Sequence, residues 1–215
     1  MLGAGVGVTA VSRSGKAPST GEEWTGRVKW VQGDARDPAT YASALEGALG
    51  AVSCVGAFGS NAQMLDICGQ ANVAAIEACK EAGVPRFAFV SAHDFRFPGP
   101  VLRGYVEGKR AAERALADRY GRDGLALRPG MVYGARRVEG LGVSLPLQLV
   151  GRPLEAVLGG PLRGVAQGLM GVPTLGAAFV PPVPVDKVGR AAAMFVLDPS
   201  VEGGVRDVWG IRDSA

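Results

Sequence analysis

Strand and helix signals alternate along most of this chain, and that alternation restricts the fold more than any other feature. Residues 6–11, 27–34, 51–56, 86–92 and 125–134 are short runs rich in Val, Ala and Phe, and they read as strands. Between the later ones, residues 38–47, 60–82 and 102–120 read as helices. Asp37 is placed to cap the first, with Pro38 at its first position. Gly83 closes the second. This order predicts an α/β fold, a doubly wound parallel sheet with helices on both faces. At 215 residues the chain reads as one domain (1–215) with a sizeable core. No linker, internal repeat or low-complexity tract divides it.

After Gly134 the pattern changes. Residues 144–176 are rich in Leu, Val, Gly and Pro and poor in charge. Leu145, Leu149, Leu154, Val157 and Leu158 form a candidate apolar helical stripe. Residues 135–185 then read as a lid or substrate-side insertion. One reading packs this lid on the sheet; another has it touch lipid or a hydrophobic partner. Arg152 and Arg163 fit both. Residues 180–185 form a Pro-rich extended crossing. Asp186 is the expected cap of a helix reaching Leu197, and residues 206–211 are the expected closing strand.

The chemistry centres on two neighbouring segments. The run 86–92 ends near Ser91, at the carboxyl end of a strand, where open α/β sheets bind ligands. The next helix carries Tyr105 and Lys109, four residues apart and so on one face. An ammonium beside a phenol favours the phenolate and lowers its pKa, which makes the two a plausible proton-transfer pair. The alternative is a surface helix with a solvated lysine and a half-buried tyrosine.

Composition narrows the possible partners. The net charge is +3, charged residues make up 20% and aromatic residues 7%. With no dense Lys/Arg run, nucleic-acid binding has little support. Cys54, Cys68, Cys79 and His93 show no metal-ligand spacing, so no metal is expected. Three scattered cysteines suit buried thiols in a reducing compartment. No apolar run is long enough for a transmembrane helix.

Several motifs, in this order and spacing, resemble the extended or atypical short-chain dehydrogenase/reductases, which have a Rossmann-like fold. They are Ser91, Tyr105-x-x-x-Lys109, the run from Leu127 to Gly134 (Leu-Arg-Pro-Gly-x-Val-Tyr-Gly), and Pro182-Val-x-Val-Asp186-x-Val188. Finer features are the stretch from Ser53 to Asn61, Arg103-Gly-Tyr105-x-Glu-Gly-Lys109 and the Pro-rich crossing. These look like plant and algal chloroplast NAD(P)-binding proteins of plastoglobules. That group is similar to a mitochondrial accessory subunit of respiratory complex I and to a fungal coenzyme Q biosynthesis protein.

The resemblance implies roles by position. Tyr105 would be the general acid/base, Lys109 would lower its pKa and contact the nicotinamide ribose, and Ser91 would polarise the substrate. Ser12 and Arg13 sit where the adenosine ribose is read. An Arg there suits a 2′-phosphate, so NADP(H) is expected over NAD(H); an exposed turn cation is the alternative. Asp34 would face the adenine, Val55 and Gly56 would border the cofactor, and Pro129 and Gly130 would shape its nicotinamide end. The implied localisation is chloroplast, at the plastoglobule or thylakoid, in preference to mitochondrion.

One departure from the family pattern stands out. Residues 3–7 are glycine-rich but precede a strand, so they read as a helix-to-strand turn and not as a dinucleotide loop. The first strand, the glycine-rich loop and the first helix would then lie upstream. The expectation is an N-terminally truncated chain, a fragment that folds marginally and binds NADP(H) poorly. Two functions follow. The first is an NADP-dependent oxidoreductase acting on a small lipophilic carbonyl or alcohol of prenylquinone or isoprenoid type. The second is a non-catalytic accessory or scaffold protein of an organelle complex or lipid particle. The apolar segment 144–176 would suit the lipophilic substrate, and association with a membrane or plastoglobule surface through it is the partner expectation.

Overall fold

The structure is a computed structural model and describes residues 3, 5–19, 22–95, 100–137, 144–146, 148–172 and 175–214. The first half contains β1 (Val8–Ser12), β2 (Val28–Gln32), β3 (Ala51–Ser53), α1 (Asn61–Leu65), α2 (Ala71–Glu81), β4 (Phe87–Val90) and α3 (Arg103–Tyr120). Next come β5 (Gly124–Leu127), β6 (Val132–Tyr133), β7 (Ala135–Arg137), β8 (Ser144–Pro146), α4 (Gln148–Gly159) and α5 (Arg163–Leu169). The chain closes with β9 (Val183–Pro184), α6 (Val185–Leu197), β10 (Gly204–Arg206) and α7 (Val208–Asp213).

The main sheet runs β10–β5–β4–β3, with every pair parallel. β1 and β2 form a second parallel ladder, from Val8 opposite Val28 to Ser12 opposite Gln32. Among the described residues the two ladders share no strand. The period-two alternation of strands β4 and β5 separates two cores. Phe87, Phe89 and Ala126 face α2 and α3 through Ile76, Cys79, Ala112, Leu116 and Tyr120. Ala88, Leu125 and Leu127 face α6 through Val188, Ala191, Ala192 and Phe195. With helices on both faces, the strands read as near-continuous apolar runs. The α/β, doubly wound expectation therefore holds, and every strand of the main sheet points its carboxyl end at one edge.

Several local expectations are corrected. Residues 38–47 form two 3-10 turns, Pro38–Thr40 and Ala42–Ala44. Asp37 makes no side-chain cap there; the Thr40 hydroxyl instead donates to the Asp37 carbonyl at 2.6 Å. Residues 60–82 start at a Ser60–Gln63 capping box and are interrupted by a π turn over Asp66–Gln70. Pro184, not Asp186, holds the cap position of α6; Asp186 lies in its first turn, where a negative charge suits the helix dipole.

The expected strand over 206–211 stops at Arg206. The Asp207 carboxylate accepts from the N–H groups of Trp209 and Gly210 and starts α7, so a strong cap overrides a β-rich composition. The apolar stripe divides as well. Leu145 lies in β8, Leu158 is buried in the α6-side core, and Leu149, Leu154 and Val157 face outward. Residues 138–143, 147 and 173–174 of the lid region lie outside the described residues. Cys68 and Cys79 are buried, but Cys54 is exposed.

Candidate active site

The carboxyl ends of β3 and β4 meet the first turns of α3, and Lys109 ties them together. Its side chain is 3% exposed. Its Nζ donates to the Val55 carbonyl at 3.0 Å and the Val90 carbonyl at 2.8 Å, and lies 4.6 Å from the centre of the Phe89 ring. Burial lowers its pKa to about 8. An ammonium has three donors, so one remains for a ligand. Gly56 lies close against it: an added Cβ would stand at contact distance, 3.4 Å from Nζ.

Tyr105 sits one helical turn earlier. Its ring centre is 5.9 Å from Lys109 Nζ and stacks on Phe58 at 5.3 Å with a 15° interplanar angle. Burial raises the phenol pKa, the nearby Cys68 thiol adds to this, and Arg110 opposes it. Burial thus pushes the phenol up, opposite to the lowering that the four-residue spacing to Lys109 suggested.

α3 can reach this position because it lies close against α1 and the π turn. A Cβ on Gly104 would overlap the Asn61 carbonyl, and one on Gly108 would come within 2.9 Å of the Gly69 nitrogen. Asn61 also caps α3 from across the fold. Its Oδ1 accepts from the Gly104 N–H at 2.8 Å, and its Nδ2 donates to the Pro100 carbonyl at 3.0 Å. Leu102, just before the helix, takes a left-handed conformation with φ of 55°.

The loop after β3 is held by residues that pattern reading missed. Fully buried Asn72 accepts from the Ser53 hydroxyl at 2.6 Å and donates to the carbonyls of Val55, Ile67 and Cys68. The Cys68 thiol pairs with Ala57. A buried amide that bonds four groups positions Val55 and Gly56, and with them Lys109.

Ser91 belongs to a different cluster. Its hydroxyl is buried and donates to Glu113 Oε1 at 2.5 Å. Arg110 donates to the same Glu113 oxygen at 2.5 Å, to Ser91 Oγ at 3.2 Å and to the Ala92 carbonyl at 2.8 Å. Arg128 donates to both Glu113 oxygens, at 2.9 and 2.5 Å. Burial raises the Glu113 pKa, but hydrogen bonds from Arg128 and Ser91 and the charges of Arg110 and Arg128 outweigh it, so the carboxyl titrates below its usual range.

Ser12 and Arg13 lie at the end of β1. Arg13 is exposed, and among the described residues it makes no ion pair. Ser12 Oγ accepts from the Gly15 N–H at 3.2 Å and lies 3.4 Å from Ser14 Oγ. Asp34 follows β2. Its carboxylate accepts from Arg36 at 3.1 and 2.7 Å, which holds its pKa down at about 2, and Arg36 also reaches Asp66 at 3.2 Å. The Pro129 carbonyl accepts from the His93 N–H at 2.8 Å. Gly130 packs on Val180 and Pro181.

The structure therefore gathers Val55, Gly56, Tyr105 and Lys109 in one place. Ser91 is adjacent in the sheet but turned toward Glu113. Ser12, Arg13 and Asp34 stand at the ends of the neighbouring ladder. Among the described residues no group of three or more His, Cys, Asp or Glu is placed to hold a metal, and no helix is long and apolar enough to cross a membrane.

A sequence-family profile described as NAD(P)H-binding matches residues 1–142. The chain belongs to the NAD(P)H-binding family. It is 40% identical over 200 residues to an uncharacterized chloroplastic protein of Arabidopsis thaliana, covering 93% of this chain and 66% of that protein. Among solved structures it resembles MoeE5 in complex with UDP-glucose and NAD, with a TM-score of 0.62, 20% identity, and 96% of this chain on 69% of that one. The UDP-glucose 4-epimerase of Thermotoga maritima gives a TM-score of 0.60 at 18% identity, 96% of this chain covering 70% of it. The Bordetella bronchiseptica enzyme WbmH, solved with NAD+, gives 0.59 at 17%, 96% of this chain covering 68% of it. At these identities the likeness is one of fold.

The side chains present fit a nicotinamide dinucleotide at two points. The third Lys109 donor, beside the side-chain-free backbone of Gly56, suits a ribose hydroxyl. Arg13, exposed and without an ion pair among the described residues, follows Ser12 in the chain and suits the far end of the dinucleotide.

Proposed function

We propose that this NAD(P)H-binding chain supplies the proton-transfer residues of an NADP(H)-dependent oxidoreductase of the short-chain dehydrogenase type. Its substrate is a lipophilic carbonyl or alcohol, of prenylquinone or isoprenoid character. The observation that carries this reading is the buried Lys109, which joins the ends of β3 and β4 and keeps one donor free beside Tyr105. A bound nicotinamide would supply hydride chemistry at the carbonyl carbon. Tyr105 gives its phenolic proton to the carbonyl oxygen in reduction and takes it back in oxidation. Its raised pKa keeps the phenol protonated, the form that reduction requires. Lys109 holds the ribose, and Val55 and Gly56 wall the site.

Arg13 favours a 2′-phosphate, hence NADP(H) over NAD(H). The outward apolar residues Leu149, Val150, Leu154 and Val157 support a lipophilic substrate and docking on a lipid surface such as a plastoglobule. Likeness to a chloroplastic protein supports the chloroplast over the mitochondrion. The test is NADPH and NADH calorimetry together with a Tyr105→Phe variant. Turnover should fall by roughly 100-fold or more while NADPH binding stays. A second reading, a non-catalytic accessory protein, draws on the burial of the Ser91 hydroxyl against Glu113. Under that reading Tyr105→Phe changes nothing.

A further inference from the structure

The Ser91 hydroxyl, expected to meet the substrate, donates to Glu113 and accepts from Arg110. The polar contact for a carbonyl oxygen has to come from elsewhere on the same strand end. Two residues on is His93, the one histidine of the chain. Its backbone N–H is pinned to the Pro129 carbonyl at 2.8 Å, between the carboxyl ends of β4 and β5. Its ring meets Phe95 edge-on at 5.3 Å. Its Nε2 is buried and has no hydrogen-bond partner among the described residues. A buried polar atom without a partner carries a desolvation penalty and calls for an explanation.

We infer that His93 is the residue that hydrogen-bonds the substrate's reacting oxygen through Nε2, and that Ser91 is a positioning residue that locks Glu113, Arg110 and Arg128 behind it. This rests on the oxidoreductase reading above. A ligand oxygen at Nε2 satisfies the orphaned atom, on the strand-end edge where that reading puts the hydride and the proton. Burial lowers the His93 pKa; Asp94 and Asp207 pull it up, and Arg110 and Arg128 push it down. The ring is therefore neutral at pH 7, so Nε2 meets a neutral carbonyl or hydroxyl without burying an unpaired charge.

A single histidine makes the test specific. The protein labelled with 15N-histidine gives one imidazole to follow by NMR. The probe is 9,10-phenanthrenequinone, an apolar dicarbonyl, titrated in the presence of saturating NADP+, which cannot reduce it. The expected result is a saturable shift of the Nε2 resonance that exceeds the shift of Nδ1. An unmoved Nε2 up to the solubility limit of the quinone, with NADP+ bound, overturns the proposal. With NADPH in turnover, His93→Leu should raise KM for the quinone about tenfold with a smaller change in kcat, and His93→Asn should restore most of it. Equal kinetics in wild type and His93→Leu also overturn it. If calorimetry shows no NADP+ binding, the oxidoreductase reading fails on its own. A saturable Nε2 shift with quinone alone would still uphold His93 as the ligand contact.

Discussion

Lys109 Nζ and the Val55 carbonyl oxygen are 3.0 Å apart, a bond that joins the second turn of α3 to the loop after β3. The lysine is thus as much a strut as a cofactor contact, and its titration is visible in stability. Burial lowers its pKa to about 8 in the folded chain, against about 10.4 for an unperturbed lysine. Between those values the unfolded chain binds a proton that the folded one does not, so this group makes stability rise with pH. The whole penalty is present below pH 8 and is relieved by about pH 10.5. The stability of wild type relative to Lys109→Met should therefore increase by about 3 kcal/mol over that window. Urea unfolding of both proteins at pH 7.5, 9 and 10.5 measures it, and a constant difference would show that the lysine is not buried as described.

The approach of α3 to the π turn depends on three small residues. A Cβ at Gly108 meets the Gly69 backbone nitrogen at 2.9 Å, and one at Gly104 overlaps the Asn61 carbonyl. The obstacles are backbone, which cannot swing aside. Ala has the better helix propensity, by about 1 kcal/mol, yet Gly108→Ala should destabilise by about 2 kcal/mol and Gly104→Ala by more. Since the same shift displaces Tyr105 and Lys109, NADPH affinity should fall with stability. Thermal melts and calorimetry on the two variants test this; a stabilised Gly104→Ala would contradict the packing.

Glu113 accepts from Ser91, Arg110 and Arg128 at once. Removing its charge leaves two guanidiniums facing each other with a neutral amide between them. Glu113→Gln should cost about 3 kcal/mol at pH 7. Its carboxyl titrates below its usual range in the folded chain, so its contribution is full above about pH 4.3 and is lost as pH falls through the lower folded value. The wild type should then approach the variant in stability below pH 4. Unfolding curves at pH 7, 5 and 3.5 decide it; parallel losses in the two proteins would assign the acid sensitivity to other carboxylates.

The strands and the Tyr105–Lys109 face were legible because they depend on local pattern: short near-continuous apolar runs, and a four-residue helical repeat. What escaped was polar and long-range. Asn72, to which the sequence pattern gave no role, is fully buried and bonds the loop after β3. Glu113 also drew no attention in the sequence, because its partner Arg128 comes from the end of the following strand. The four-residue spacing placed Tyr105 and Lys109 on one face, but it shows neither the burial that raises the phenol pKa nor the two carbonyls that hold the ammonium. At Asp207 and Pro184 the errors were of caps, where one side-chain bond or one extended φ/ψ pair outweighs composition. An unpaired Asn or Glu on the inward face of a helical pattern was the one signal that could have located these residues.

Arg13 is exposed at the end of β1, and its neighbours Ser12 and Ser14 offer hydroxyls. Asp34 is held by Arg36 and feels the Arg13 charge, but makes no ion pair with Arg13 among the described residues. A guanidinium free to form charge-assisted bonds to a phosphate contributes about 1.5–3 kcal/mol. Arg13→Ala should thus weaken NADPH binding by roughly tenfold or more, while NADH, which has a hydroxyl in place of the phosphate, should bind the variant and wild type alike. The NADPH loss should shrink at high salt, because the site is exposed. Calorimetry with both nucleotides at two ionic strengths separates the cases: an equal loss for both would make Arg13 a contact to the shared part of the dinucleotide, and no loss for either would leave it a solvated turn cation.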